Sequence, residues 1–187
     1  MKAALAGIVA IAGLGVLALA GVFGVQAPAT SVPMLPVWTE AKWPFPIDQW
    51  GSGRAFACAP SDCGVRINVF VRPKIGFCNC ATGVDSDAEL ERVSDNELVI
   101  SVAKPRGPGR PIKIGWMKGL SRAYAYKDNG VLSVAYNDEC DVVVALATFD
   151  GGDPAVIDEA VVSFLGSRPM VLWAKKELGL EFVRRDW

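Results

Sequence analysis

Val142-Val143-Val144-Ala145-Leu146-Ala147-Thr148 is an uncharged run rich in β-branched residues, and it decides the fold. Its length suits a strand, and the lack of polar alternation predicts one covered on both faces, in the middle of a sheet. The chain then changes period. Gly151-Gly152 breaks the strand and Asp153-Pro154 supplies a capping carboxylate before a proline suited to a first helical turn. A helix is predicted from Pro154 to about Leu165, with Ile157, Val161, Phe164 and Leu165 on one face. A second is predicted from Pro169 to Leu178, stopped by Gly179, with Lys175 and Lys176 at its negative end.

Upstream the pattern is that of strands. Val65, Ile67, Val69 and Val71 alternate with Arg66, Asn68, Phe70 and Arg72, the period of a half-buried strand that Pro73 to Gly76 should end. Glu97 to Ala103 and Ile112 to Trp116 read as further strands. Ala123 to Lys127 and Val131 to Tyr136 flank Asp128-Asn129-Gly130, a hairpin signal because Asn and Gly accept positive φ. Strands first and helices last predict an α+β domain with a mainly antiparallel sheet and two C-terminal helices packed on one face.

The other end of the chain sets its surroundings. Ala3 to Val25 is 23 residues without a charged or hydrogen-bonding side chain, enough helix to cross about 30 Å of hydrocarbon. It is read as a transmembrane anchor, with Lys2 on the cytoplasmic side, or as a secretory signal cleaved near Ala20 or Ala29. The expected organisation is an anchor or signal over residues 1–25, a proline-rich tether over 26–46, and an exported domain over 47–187. Five of the twelve prolines fall in that tether, with Trp38 and Trp43 among them. The expected location is a bacterial inner membrane with the domain in the periplasm, or a soluble periplasmic or secreted form after cleavage.

Export makes five cysteines the most pointed chemistry in the chain. In an oxidising compartment Cys58, Cys63, Cys78 and Cys80 are disulfide candidates. Cys78 and Cys80 should not join each other, because residues two apart on an extended chain sit near the limit of disulfide reach. Cys58 and Cys63 either close a short loop across Pro60 or reach the later pair. An odd count leaves one thiol, and Cys140, flanked by Asp138, Glu139 and Asp141, is the candidate. The same four residues, Cys58, Cys63, Cys78 and Cys80, form the alternative of a thiolate site for zinc or copper, which would make the protein a metal carrier.

Charge is segregated. Asp85, Asp87, Glu89, Glu91, Asp95 and Glu97 crowd one stretch, and Lys104, Arg106, Arg110, Lys113, Lys118 and Arg122 follow with no acid between them. The two blocks are positioned to face each other. The basic block begins as a stiff proline- and glycine-rich loop, with Lys104, Arg106, Arg110 and Lys113 as candidates to touch an acidic partner or lipid phosphates.

Catalysis finds little support. The chain has no histidine, which excludes Ser-His-Asp and Cys-His catalysis and histidine-ligated metals. No G-x-S-x-G, phosphate loop or dinucleotide fingerprint occurs, and no cofactor is expected. Ser101-Val-Ala-Lys104 matches S-x-x-K, leaving a histidine-free Ser/Lys hydrolase as a third possibility. A net charge of −1 argues against nucleic-acid binding. The sequence therefore predicts an exported binding or assembly protein without an evident catalytic site, held at the membrane through residues 3–25 and acting on a protein partner.

Overall fold

The computed structural model describes residues 36–100, 104–126 and 129–180. The anchor or signal stretch, residues 26–35 of the tether, and Ser101 lie outside them. Among the described residues no helix is long and apolar enough to cross a membrane. In chain order the elements are β1 (Trp38–Ala41), β2 (Arg54–Cys58), the short α1 (Pro60–Cys63), β3 (Ile67–Lys74), α2 (Asp87–Val93), a 3-10 turn (Asn96–Leu98), β4 (Lys104–Pro105), β5 (Arg110–Ile114), β6 (Met117–Tyr126), β7 (Asn129–Asp138), β8 (Asp141–Phe149), α3 (Pro154–Leu165) and α4 (Arg168–Glu177).

All eight strands join one sheet in the order β1-β2-β3-β8-β7-β6-β4, with β5 also on β6, and every pairing is antiparallel. The domain is α+β, as the strand-then-helix pattern predicts. The uncharged run becomes β8, central between β3 and β7, and its residues from Val142 to Ala147 are all buried. Alternate residues serve opposite layers. Val143, Ala145 and Ala147 join the core beneath α3 and α4, whereas Val142 and Val144 pack with Leu90 and Val93 of α2.

Three strands run further than their sequence signals suggest. β3 continues through Pro73 to Lys74, with Pro73 opposite Val143. A proline is tolerated there because β2 pairs only as far as Val71, so the missing N–H falls where the ladder has no partner. β6 and β7 form a long hairpin whose register pairs Tyr126 with Asn129 and Ala125 with Gly130, placing Asn129 and Gly130 in the strand. Gly130 is required for packing: a Cβ there would collide with the Phe149 ring.

One face of the sheet is covered by α3 and α4. Asp153 caps α3 by accepting the Ala155 N–H at 2.9 Å, Pro154 opens the helix, and Ile157, Val161 and Leu165 are buried against Leu132, Val134 and Tyr136. Each such buried side chain contributes about 1.5–3 kcal/mol. Phe164 extends the contact to β1 and β2, stacking on Trp38 at 4.5 Å and meeting Phe56 edge-on at 4.9 Å. α4 ends at Gly179, φ 69°, with Lys175 and Lys176 in its last turn.

The opposite face carries a patchwork. α2, the 3-10 turn, the 75–83 segment and the loop from Lys42 to Gly53 share it. Trp43 and Phe45 meet Phe70 at 6.3 and 4.8 Å, and Trp50 meets Phe77 at 4.7 Å. The domain accordingly begins with β1, inside the stretch expected to be tether, because Trp38 and Trp43 have apolar surfaces to cover. The strand expected from Glu97 to Ala103 is not formed over its described part. Asn96–Leu98 is a 3-10 turn, which brings Ile100 onto Tyr124, Val131 and Leu146.

Candidate functional site

The cysteines resolve into two disulfides, Cys58–Cys63 with α carbons 6.0 Å apart and Cys80–Cys140 at 4.2 Å, and one free thiol, Cys78. The first closes across α1, whose Pro60 start and left-handed Gly64 end bring its termini together. The second corrects two expectations: Cys140 is bonded and Cys78 is free. The acidic neighbours of Cys140 bear on its reactivity as a thiol and not on its reach. β7 and β8 turn tightly at Glu139, φ 52°, and this turn sets Cys140 against the 75–83 segment, where its carbonyl accepts the Cys78 N–H at 3.1 Å.

Cys78 itself points inward. Its thiol donates to the Glu139 carbonyl at 3.2 Å and is pushed up to about 11, first by burial and then by the Glu89 and Asp141 carboxylates. The acidic environment argued for Cys140 thus acts on Cys78, and it makes that sulfur a poor nucleophile. Cys58, Cys63 and Cys80, three of the four sulfurs of the alternative metal site, are in disulfides and are not available as thiolates. Among the described residues no group of three or more His, Cys, Asp or Glu side chains is placed to hold a metal.

A buried charge cluster went unpredicted. Arg72 and Lys74 occupy the supposedly exposed side of β3 and are 2% and 3% exposed. Arg72 donates Nε and Nη2 to the two oxygens of Asp95 at 2.6 and 2.8 Å, and Nη1 to Asp48 at 2.7 Å. Lys74 reaches Asp95 at 2.7 Å and the Val93 carbonyl at 2.7 Å. The Arg72 guanidinium also lies over Trp43, and the Lys74 ammonium over Phe77 at 5.1 Å. Each charge has a partner, so the cluster ties the Lys42–Gly53 loop and the 3-10 turn to β3 and presents no open coordination to a ligand.

The acidic and basic blocks do meet. Arg122 of β6 bonds Glu91 at 2.7 Å and Asp87 at 3.3 Å, both on α2, and donates Nε to the Gly107 carbonyl at 2.7 Å. Asp87 also accepts the Gly109 N–H at 2.8 Å, so α2 fixes the base of the basic loop. α2 has its own signal in Ser86-x-x-Glu89, which resembles a capping box: Ser86 accepts the Glu89 N–H at 3.2 Å. Glu89 does not return the bond. It turns to the Asn79 N–H and to Arg92, which hold its carboxyl below the usual range, the Arg92 guanidinium contributing most.

Lys104, Arg106, Arg110 and Lys113, the predicted basic loop, lie along the far edge of the sheet. β4 and β5 are two pieces of one edge strand on β6, separated by residues 106–109. Arg110 is used internally, donating Nε to Asp158 of α3 at 2.6 Å. Lys104, Arg106, Lys113 and Lys118 are exposed and have no carboxylate within ion-pair distance among the described residues. Lys113 lies directly opposite Lys118, an arrangement of like charges that is unfavourable by itself. No protein-family model matches the chain, and no curated protein does.

Proposed function

We propose that this is an exported, membrane-anchored binding or assembly protein that holds an acidic protein partner on its β4–β5–β6 edge. The observation carrying the reading is the grouping along that edge of four exposed cations, Lys104, Arg106, Lys113 and Lys118, with no carboxylate within ion-pair distance among the described residues. A negative surface laid over the opposing lysines offsets their repulsion, and such a contact is steered and specified by charge. Two disulfides support the export part, since such bonds persist in oxidising compartments. The 23-residue apolar stretch supports the anchor.

The test is affinity capture from solubilised membranes with wild type and a Lys104→Glu/Lys113→Glu/Lys118→Glu variant. An acidic partner held by wild type, released by salt and absent from the variant is the expected result. Equal capture by both proteins would remove the edge from the proposal. A reporter enzyme fused after Trp187 checks export independently, and activity confined to the cytosolic side would overturn it.

A further inference from the structure

Cys140 stands between two other cysteines. It is bonded to Cys80, with α carbons 4.2 Å apart, and its carbonyl accepts the Cys78 N–H at 3.1 Å. Residues joined across a sheet by backbone hydrogen bonds have α carbons about 5.5 Å apart, inside the roughly 4.4–6.8 Å that a disulfide spans. The Cys78 thiol rests 3.2 Å from the Glu139 carbonyl, whose carbon is bonded to the Cys140 nitrogen. Cys140 is therefore within reach of either cysteine, whereas Cys78 and Cys80, two apart in the chain, are poorly placed to join each other.

The two partners differ in access. Cys78 is 6% exposed, whereas Cys80 lies at the surface and Cys140 is half-buried. The backbone around them is held by other means than sulfur. Gly76 donates its N–H to Asp141 at 2.7 Å, Asn79 donates its N–H to Glu89 at 2.8 Å, and Val84 donates its N–H to Asn137 at 3.0 Å. The Asn79 side chain also accepts the Ala81 N–H at 2.9 Å, which fixes the turn after Cys80. These bonds pin the segment on both sides of the cysteines, so a change of sulfur partner asks for side-chain rotation and little else.

We propose that Cys140 exchanges partners, converting the buried thiol of Cys78 into an exposed thiol at Cys80 that serves as a modification site for small electrophiles. The Cys78 thiolate attacks Cys140 Sγ, the Cys78–Cys140 bond forms as the Cys80–Cys140 bond breaks, and the electron pair departs on Cys80. Cys80 then takes up a proton from water, to which Cys78 had given its own. One thiol and one disulfide stand on each side, so no oxidant or reductant is consumed. In the resting form burial, Glu89 and Asp141 hold the Cys78 thiolate down against the pull of Arg92, which keeps the exchange slow near neutrality.

The test alkylates the folded full chain, disulfides intact, with iodoacetamide at about pH 9, where more of the thiol is ionised. Digestion without reduction and fragment mass spectrometry then locate the label and the bonds. Slow labelling at Cys80 together with a Cys78–Cys140 bond is the expected result. Label on Cys78 with Cys80–Cys140 intact, or no label above that of a Cys78→Ser control, would overturn the proposal. Cys80→Ser gives a second readout: the folded variant should hold a Cys78–Cys140 bond and show no free thiol, and two free thiols would equally overturn it. Should that variant not fold, the labelling of wild type decides.

Discussion

The two faces of the sheet are closed by opposite means. Under α3 and α4 the contact is almost entirely apolar, with Val134, Tyr136, Val161 and Leu165 excluded from solvent. Across the sheet the cover is assembled from loops, a two-turn helix, a disulfide and the Arg72–Asp95–Lys74–Asp48 cluster. A helix with one apolar stripe seals itself by burial alone. Loops with many backbone polar groups need directional partners to stay on the sheet, and buried charges supply them at the cost of desolvation.

Replacing Asp95 with Ala strikes this contrast hardest. It leaves Arg72 and Lys74 buried without their shared carboxylate, and breaking a buried ion pair costs about 3–5 kcal/mol. Denaturant unfolding should show that loss, with the intrinsic fluorescence of Trp43 and Trp50 changing as their loop is released. A loss below about 1 kcal/mol, the level of a surface pair, would mean that the cluster does not hold that layer. Leu165→Ala tests the apolar face. The leucine is fully buried, and its truncation should cost about 2–5 kcal/mol in the same measurement while leaving the Trp50 environment unchanged.

The smallest effect concerns Cys78. With its thiol at about 11, alkylation of the native protein at pH 8 should be far slower than in denaturant, where the group titrates near its ordinary value of 9.0. The native rate should climb as pH rises toward 11, because only the thiolate reacts. Rapid labelling at pH 8 of one thiol per folded chain would show that the 75–83 segment is not closed over it.

The apolar face was largely legible in the sequence and the other was not. β8, α3 and α4 declare themselves through uniform or periodic apolar residues and through the local stop and start signals Gly151-Gly152, Asp153-Pro154 and Gly179. Arg72 occupies the polar phase of an alternating strand, and local pattern assigns it to solvent. Its partners Asp95 and Asp48 lie 23 and 24 residues away, so its burial is a tertiary fact. The Cys80–Cys140 bond, spanning 60 residues, escapes spacing arguments for the same reason. α2 was masked by its acidity, although Ser86 and Glu89 carry a usable cap signal. The basic loop was legible as a loop, but the pairing of Arg110 needed Asp158, a residue of α3.

The far edge has one more consequence. An exposed strand invites another chain to pair with it, which is how many β-rich proteins polymerise. Here Pro105 and Pro111 remove amide donors from β4 and β5, Pro108 lies in the break between them, and lysines stand at 104 and 113. A second copy of the chain therefore finds no regular row of amide donors along this edge, and the rim stays open to other visitors.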